Sequence, residues 1–313
     1  MLNYNGRELL EIVLPSLASQ TYPGFEVVVV DNGSVDDSVA YLREHWPAVR
    51  VVSTGPANVG VAAALNVAVR AARGEFVALL NNDIELEPDW LEQLVAALDR
   101  HSEASALAGK TLNYWRRDEL DGAGDVFSRA ATAHRRGLGE PDKGQYDQEE
   151  EVFSATAGAA LYRVAAFDDV GPFDESFFAY LEDADWGLRA QLAGYRAWYV
   201  PSAVAYHMGG RTTGGDASPF YYAVLRRNTI AVLIKDVPLR FVYRNAPHIA
   251  RHHILGLVDS ARQGRLRDHL RALAGVLRHS PGWLRARHTI LDRSRIDLGD
   301  FDRLVSAGRR DAR

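Results

Sequence analysis

The stretch Phe76-Val-Ala-Leu-Leu-Asn-Asn-Asp83 places five apolar residues directly before two amides and a carboxylate. A short apolar run bounded by turn signals, here Gly74 before it and Pro88 after it, is typical of a strand buried on both faces. Open α/β sheets bind ligands at the carboxyl ends of such strands. Asp83 is therefore a candidate for a metal or phosphate site. The alternative is that the three polar residues are only turn formers and a helix cap.

The same pattern recurs on the amino-terminal side of this stretch. An apolar run at residues 25–30 ends in the polar cluster Asp31-Asn-Gly-Ser34, and strands alternate with helical patterns as far as residue 112. This alternation predicts an α/β fold of βαβ units, with a Rossmann-like, mixed and mostly parallel sheet flanked by helices. Helical spacing from Pro219 onward predicts a helical C-terminal extension. The sequence contains neither GxGxxG after the first strand nor GxxxxGK[ST], so it does not support a classical dinucleotide site or a P-loop.

Composition sets further limits. The chain has 313 residues and no cysteine, which excludes disulfides and thiolate metal sites. It contains no apolar run long enough for a transmembrane helix, and no basic-then-apolar signal peptide at the start. The predicted first strand, residues 1–6, is short, so both a native and a truncated N-terminus stay open.

Charge is distributed unevenly along the chain. From residue 240 to the end there are 16 Arg and 7 Asp with no Lys or Glu, a formal charge of +9, so residues 1–239 carry −14. Because leucines, Trp283 and six His accompany these arginines, an anionic membrane surface suits the segment better than nucleic acid does. The alternative is a solvated basic helix face over a self-packing core.

Chemistry alone suggests several site residues. Asp31 can accept from a base or ribose, and Tyr4 can stack on a base. Asp83, water and substrate phosphates make a typical Mg²⁺ or Mn²⁺ site, which His207 could complete, although a lone His is more often structural. Leu181-Glu-Asp-Ala-Asp185 puts three carboxylates in one helical turn, where the helix dipole stabilises them or one acts as a general base.

Taken together, these motifs resemble the inverting family 2 glycosyltransferases with the GT-A fold, particularly the rhamnosyltransferase-like bacterial branch. The resemblance covers roughly residues 1–235. The matching positions are residues 3–6, 29–34 with Asp36 and Ser38, 57–60 with Asn66, 79–83 with Pro88 and 90–91, 158–160, 170–171, 173–175, 177–180, 182–183 with Asp185, 188–190, 194–196, 200–201, and 206–207 with Gly210 and Thr212.

The resemblance implies a role for each site residue. Asp183 would be the catalytic base. The metal ligands would be Asp83, at the DxD motif whose first acid is Asn81 in this chain, and His207, with Mn²⁺ or Mg²⁺ as the cofactor. The nucleotide-binding residues would be Tyr4, Asn5, Asp31, Asn58, Gly60, Asn66, Asn81 and Asn82. The acceptor side would be shaped by Glu182, Asp185 and Trp186.

The resemblance also implies an activity and an organisation. The donor would be a nucleoside-diphosphate sugar, dTDP- or UDP-linked, and the acceptor a cell-envelope glycan or lipid-linked hydroxyl. We expect a catalytic domain at residues 1–235, with a nucleotide-sugar half at 1–112 and an acceptor half at 113–235. A basic helical extension at 236–313 would hold the enzyme at the cytoplasmic face of the membrane.

Two other functions compete with this one. A non-catalytic nucleotide- or carbohydrate-binding protein of the same fold would not need Asp83, Asp183 and His207 together. A nucleotidyltransferase would be expected to carry a Gly-rich loop with a basic residue near the N-terminus, and this sequence has none.

Overall fold

The computed structural model describes residues 1–209 and 218–307. Gly210 and Thr212, and the last basic residues of the chain, lie outside the described residues. Strands and helices alternate in the first third of the chain, as predicted. These elements are β1 (Leu2–Asn3), α1 (Arg7–Ala18), β2 (Val28–Asp31), α2 (Ser38–His45), β3 (Arg50–Ser53), α3 (Val61–Ala71), β4 (Phe76–Leu80), β5 (Ile84–Leu86) and α4 (Trp90–Arg100).

The middle of the chain is rich in strands, and the end is helical. The strands are β6 (Ala104–Asn113), β7 (Leu120–Gly122), β8 (Asp125–Phe127), β9 (Ala133–Arg135), β10 (Glu150–Val152), β11 (Ala159–Arg163) and β12 (Arg196–His207). The helices are α5 (Ala166–Val170), a 3₁₀ turn (Glu175–Phe177), α6 (Glu182–Leu192), α7 (Pro219–Lys235), α8 (Leu239–Arg262), α9 (Leu266–Asp292) and α10 (Leu298–Ala307).

The strands form two main sheets. β1, β2 and β3 pair in parallel, as the βαβ pattern predicts. The larger sheet has the order β10-β12-β6-β11-β4, with β5 on β12 and β7 on β6. Within it β6 and β12 pair in parallel, and the short strands and β11 run antiparallel to their neighbours. The sheets are therefore mixed, with their parallel pairs in β1–β3 and at the centre of the larger sheet.

Strand β4 is covered on both faces, as its apolar run predicts. Leu80 belongs to the cluster of apolar side chains that packs against α1 and α4. Val77 and Leu79 belong to the cluster on the opposite face, with α3 and α6. Because successive strand residues point to opposite faces, this division is what a central strand requires. Asn81, Asn82 and Asp83 consequently follow at the edge of a buried layer.

The polar segment at residues 116–151 is not the long loop that its weak periodicity suggested. It contains β7, β8 and β9, each three residues long, and β8 pairs with β9 in a hairpin. Three residues are too few to show a strand period in the sequence. Strand β5 was missed for the same reason. It lies directly after Asp83 and pairs with the end of β12, so that Ile84 faces His207.

The C-terminal helices share a core with the middle of the chain. Phe153, Leu188 and Phe177 pack in one cluster with Val232, Trp283 and other side chains of α7 to α10. The boundary predicted near residue 235 falls within this core, because Lys235, Asp236 and Val237 are all buried. No helix in the described part of the chain is long and apolar enough to cross a membrane.

Candidate active site

Asn3 joins the ends of three strands. Its side-chain Nδ2 donates to Asp31 Oδ1 at 3.3 Å and to Ser34 Oγ at 3.2 Å, and its Oδ1 accepts from Asn82 Nδ2 at 2.9 Å. Gly6 permits this approach, because a Cβ there would lie 2.0 Å from Asn82 Nδ2. The ends of β1, β2 and β4 therefore meet, which places Asp31 beside the Asn-Asn-Asp step as the parallel arrangement predicts.

The loops after β1 and β3 are ordered by asparagine side chains. Asn5 Oδ1 accepts from the backbone N–H of Val35 at 2.8 Å. Asn58 Oδ1 accepts from Asn32 Nδ2 at 3.1 Å and from the N–H of Gly60 at 2.9 Å. Tyr4 is half-buried and Asn5 exposed at the rim of this region. The nucleotide-binding roles of Tyr4, Asn5, Asn58 and Gly60 stay predictions.

Asn66 lies in the interior, on α3. Its Nδ2 donates to the carbonyl of Phe173 at 2.9 Å and to Glu175 Oε1 at 3.1 Å, and its Oδ1 accepts from the N–H of Phe173 at 2.9 Å. These contacts connect α3 to the chain before α6. They give Asn66 a structural role, and its predicted contact with a nucleotide rests on the resemblance alone.

His207 lies between two carboxylates. Its Nε2 is 3.4 Å from Asp83 Oδ2, and its Nδ1 is 2.9 Å from Asp121 Oδ2. Burial opposes protonation of the imidazole, but the hydrogen bonds to Asp121 and Asp83 outweigh it and raise the pKa of His207 to about 9. The structure thus brings the two predicted metal ligands together, through the pairing of β5 with β12.

The Asp83 carboxylate has an unused acceptor. Its Oδ1 is buried and has no hydrogen-bond partner, whereas buried carboxylate oxygens normally have one. No group of three or more metal-binding side chains occurs within residues 1–209 and 218–307. The residues present suit a Mg²⁺ or Mn²⁺ ion that takes one or two protein ligands and completes its shell with water and phosphate oxygens.

Asp183 lies at the start of α6. Its Oδ2 accepts from the backbone N–H of Ala157 at 3.0 Å, and its Oδ1 accepts from that of Ala184 at 2.8 Å. Burial raises the pKa of the Asp183 carboxyl, while these N–H donors and the charge of Arg135 lower it. The carboxylate is held by the backbone on two sides, so its direction is fixed.

The hairpin of β8 and β9 adds a second carboxylate and a cation. Asp125 accepts from Ser154 Oγ at 2.8 Å and from Thr156 Oγ1 at 3.2 Å. Burial and the nearby charge of Asp183 raise the pKa of Asp125 to about 7. The Arg135 guanidinium interacts electrostatically with Asp121, Asp125 and Asp183, and the pKa of Arg135 is raised because these carboxylates outweigh its burial.

Asp121, Asp125 and Arg135 were missed by the sequence reasoning, because their segment looked like a loop. The only signal is the alternation Asp125-Val-Phe127, which becomes meaningful once Asp125 and Phe127 are known to be buried. A cleft lies between these elements at the ends of β4, β6 and β12, and we call it the strand-end cleft. Its lining includes Asn81, Asp121, Arg135, Thr156 and His207.

The three side chains predicted at the acceptor side lie deeper than expected. Glu182 is buried with its Oε2 unpartnered, and burial and the charge of Asp183 raise the pKa of Glu182 well above its usual range. Asp185 is fully buried and pairs with Arg189 at 2.9 Å. The indole Nε1 of Trp186, also buried, donates to the carbonyl of Gly171 at 3.0 Å. The structure therefore does not bring Asp185 and Trp186 to the cleft, since their contacts are those of core residues.

The backbone just before Asp183 is strained. Phe178, Tyr180 and Leu181 have φ values of 64°, 67° and 64°, a region that non-glycine residues seldom adopt. Asn228 of α7 holds this segment, because the two N–H groups of its Nδ2 are shared among three backbone carbonyls of it. The acceptors are the carbonyls of Phe177 at 3.1 Å, Ala179 at 2.8 Å and Tyr180 at 2.7 Å. Strained segments of this kind concentrate at functional sites.

The sequence model of the family described as Glycosyl transferase family 2 matches residues 1–171. The chain is 28% identical to the N-acetylglucosaminyl-diphospho-decaprenol L-rhamnosyltransferase of Mycobacterium tuberculosis, over 85% of this chain and 94% of that protein. The match therefore spans nearly the whole relative.

Two solved structures share the fold. The TarS fragment 1–349 from S. aureus, in complex with UDP, is 21% identical, with a TM-score of 0.56 over 99% of this chain and 90% of that one. The mannosyltransferase PcManGT from Pyrobaculum calidifontis, in complex with GDP-Man and Mn²⁺, is 18% identical, with a TM-score of 0.55 over 93% and 84% of the two chains. The strand-end cluster, the GT-A architecture and the family match agree, and we conclude that this chain belongs to glycosyltransferase family 2 as a rhamnosyltransferase-like enzyme.

Proposed function

We propose that this glycosyltransferase moves a sugar from a nucleoside-diphosphate sugar to a hydroxyl of a lipid-linked or cell-envelope glycan, with inversion at the anomeric carbon. The observation that carries the proposal is the fixed carboxylate of Asp183, which accepts from the N–H groups of Ala157 and Ala184. Ala157 lies in the chain between Thr156 and Gly158, which line the strand-end cleft. A general base needs a carboxylate in a set direction with an elevated pKa, and burial supplies the latter.

The donor would bind at the carboxyl ends of β1, β2 and β4. Asp31 and Asn82, joined through Asn3, would hold the nucleotide, and Tyr4 at the rim would stack on its base. A dTDP- or UDP-linked donor is proposed from the resemblance. Asp83 and His207 would hold a divalent cation, which when bound supplies positive charge for the departing diphosphate.

The transfer itself is a single displacement. The acceptor oxygen attacks the anomeric carbon, Asp183 takes the hydroxyl proton, and the bond to the diphosphate breaks on the opposite face of the sugar. Burial raises the pKa of the Asp183 carboxyl, and the positive charge of Arg135 counteracts part of that rise, which favours the ionised form that accepts the proton. No protein nucleophile takes part, so one inversion results.

The stereochemistry of the product tests the proposal. A screen of nucleoside diphosphates and nucleotide sugars by thermal shift, with Mn²⁺ present, first identifies the donor, because a ligand of the native state raises its apparent stability. The anomeric configuration of the transferred sugar is then assigned by NMR. We expect it to be opposite to that of the donor, and retention would contradict the role of Asp183 as the base.

For the acceptor we propose a hydroxyl on a sugar linked to a lipid through a diphosphate, as in the name of the mycobacterial relative. Such an acceptor stays in a membrane, so the enzyme must work at its surface. Helices α8 and α9 expose apolar side chains such as Ile254, Leu270 and Leu277 among their arginines. Basic helices of this composition bind anionic bilayers, and we propose peripheral membrane association through them.

Vesicle sedimentation tests the membrane contact. We expect binding to vesicles containing phosphatidylglycerol and weaker binding to neutral phosphatidylcholine vesicles. The variant Leu270→Ser/Leu277→Ser, which changes exposed positions only, should bind roughly thirtyfold less, at about 1 kcal/mol for each leucine that no longer enters the bilayer. Equal binding by this variant and the wild type would show that these side chains do not enter the bilayer.

A further inference from the structure

A second cavity lies at the turn of the β8–β9 hairpin, whereas Arg135 of the strand-end cleft lies at the other end of that hairpin. It is an open pocket bordered by the turn of the hairpin, by α7 and by α8. The side chains of interest that line it are Arg129, Arg226, His248, Arg251, His252 and Asp259. Neither the donor site nor the base uses any of them.

The pocket is strongly positive. Arg129, Arg226 and Arg251 make no ion pair with any carboxylate of residues 1–209 and 218–307. Asp259, its one acid, accepts instead from Gln263 Nε2 at 2.8 Å. Burial and the charge of Arg226 lower the pKa values of His252, His253 and His269. The three guanidinium groups outnumber the one carboxylate of Asp259, and such an excess of positive charge is what an anionic ligand stabilises.

Arg226 holds its position because α8 has a glycine opposite it. A Cβ on Gly256 would lie 1.7 Å from Arg226 Nη1, so only glycine lets the guanidinium lie against this helix. The guanidinium carbon also lies 5.1 Å from the centre of the Tyr222 ring. Gly256 is buried in the middle of a 24-residue helix, where glycine costs stability relative to alanine. This destabilising glycine therefore stands at the position on α8 where any side chain would collide with Arg226.

The hairpin connects this pocket to the catalytic side. Arg129 and Ala130 at its turn line the pocket, while Arg135 at the end of β9 faces Asp121, Asp125 and Asp183. The three residues of β9 and the tight turn before it extend over roughly 10–15 Å. An acceptor of one or two sugars with a diphosphate on the anomeric carbon has a length of this order, so it can place a hydroxyl at the base and its diphosphate in the pocket.

An apolar surface begins where the pocket ends. Leu255 lines the pocket and is exposed, and Ile254, Leu257 and Val258 on the same helix are exposed as well. A lipid diphosphate bound at Arg226 and Arg251 could therefore place its hydrocarbon chain against these exposed apolar side chains. Free phosphate or a nucleotide would leave that surface in water.

We propose that this basic pocket binds the diphosphate of a lipid-linked acceptor, with Arg226 and Arg251 as its main ligands and the lipid chain leaving over Leu255. This inference rests on the proposed function, since it assigns the place where the acceptor of that reaction is held. Arg129 closes the pocket from the hairpin side. Arg226 and Arg251 are acceptor-binding residues and take no part in proton transfer.

Calorimetric titration of the full chain with geranyl diphosphate tests the pocket directly. EDTA is present so that cation-dependent binding of diphosphate at Asp83 does not contribute. We expect Arg226→Gln/Arg251→Gln to weaken binding by roughly tenfold per arginine, since each loses charge-assisted hydrogen bonds. Arg262→Gln is the matched control, because it removes one exposed arginine of α8 outside the pocket, and it should bind as the wild type does.

A second variant distinguishes a loss of binding from a failure to fold. Gly256→Ala is favoured by helix propensity but displaces the Arg226 guanidinium, so we expect a stable protein with weaker binding of geranyl diphosphate. If Gly256→Ala and Arg226→Gln/Arg251→Gln both bind like the wild type, the proposal is overturned. Equal loss in Arg262→Gln would also overturn it, because diffuse surface charge would then explain the binding.

Further titrations identify the source of the anion. Inorganic phosphate or inorganic diphosphate binding as tightly as geranyl diphosphate would overturn the lipid assignment. A second outcome would also overturn the lipid assignment. If Arg226→Gln/Arg251→Gln lost its binding to phosphatidylglycerol vesicles but kept its binding to geranyl diphosphate, the two arginines would contact the bilayer instead. Weaker binding of both inorganic anions, together with loss of geranyl diphosphate binding in the variant, supports the proposal.

Transfer assays separate this proposal from the proposed function. With a diphosphate-linked lipid acceptor, Arg226→Gln/Arg251→Gln should raise the acceptor KM at least tenfold and leave the donor KM unchanged. An unchanged acceptor KM would overturn the pocket while the transfer reaction stands. A wild-type protein that transfers no sugar to any lipid-linked acceptor, yet binds geranyl diphosphate through Arg226 and Arg251, would contradict the proposed function and leave the pocket in place.

Discussion

The Arg135 guanidinium donates to Asp121 Oδ2 at 2.5 Å. The same oxygen lies 2.9 Å from His207 Nδ1, and Arg135 also interacts electrostatically with Asp183. One cation on a short hairpin thus lies between the proposed donor side and the proposed base. Replacing Arg135 by a neutral residue should therefore change the pKa values of Asp121 and Asp183 while both carboxyl groups stay in place.

We predict that Arg135→Gln moves the acid limb of the pH profile of kcat/KM to higher pH. The charge of Arg135 lowers the pKa of the Asp183 carboxyl, so its loss raises that pKa, and the base is ionised only at higher pH. The pH dependence of initial rates measures this shift. Arg116→Gln, which removes a mostly exposed arginine paired with Glu119, is the control and should keep the wild-type profile. An unshifted limb in Arg135→Gln would mean that Asp183 does not titrate in that limb.

We predict that Asp183→Asn lowers kcat by about 10²–10⁴, the usual contribution of a general base. The amide oxygen can still accept one backbone hydrogen bond, so the fold and the donor affinity should persist. Single-turnover assays and titration with the nucleoside diphosphate check these two statements separately. Asp168→Asn, on the exposed surface of α5, should be as active as the wild type. Near-normal turnover in Asp183→Asn would remove the base assignment.

We predict that Asp83→Ala lowers kcat by about 10²–10³, the range observed when one electrostatic stabiliser of a transition state is lost. Asp83 is the only carboxylate of the Asn-Asn-Asp step, so no neighbour there can replace it. EDTA should inactivate the wild type, and Mn²⁺ or Mg²⁺ should restore it. The thermal shift by nucleoside diphosphate with Mn²⁺ should disappear in Asp83→Ala but persist in Asp99→Ala, an exposed change on α4. Full transfer in chelator would contradict the metal roles of Asp83 and His207.

We predict that Lys235→Met destabilises the fold by about 3–5 kcal/mol, because removal of one partner leaves buried charges uncompensated. Lys235 is 2% exposed, donates to Asp174 at 2.8 Å and pairs with Asp185. Burial and the charge of Asp185 already raise the pKa of the neighbouring Asp236 well above its usual range. Denaturant unfolding measures the change, with Lys143→Met at an exposed site as the control. If Lys235→Met were as stable as the wild type, Asp185 would have to take up a proton in the variant with no loss in the free energy of unfolding.

The fold and half of the site were accessible from the sequence for identifiable reasons. β4 is long enough to show a continuous apolar run, so its position, its burial on both faces and the polar step at its end were all predictable. β8 and β9 are three residues long, and Arg135 and Asp125 acquire their importance from contacts with residues far away in the chain. Asp185 looked like a site residue because its acidic neighbours did, and only packing shows that it pairs with Arg189 and Lys235 in the interior.

The hydrogen bonds from Asn228 to the strained segment before Asp183 have a consequence for protein engineering. Its carboxamide sits on α7, outside the segment matched by the family model, and yet it fixes the entry to the helix that carries the proposed base. Chimaeras that join the first 200 residues to the terminal helices of a relative separate Asp183 from its own α7, so we expect them to keep the donor preference of the first parent and to lose turnover. A graft that carries its own α7 together with residues 173–185 should turn over faster than one that exchanges α7 alone.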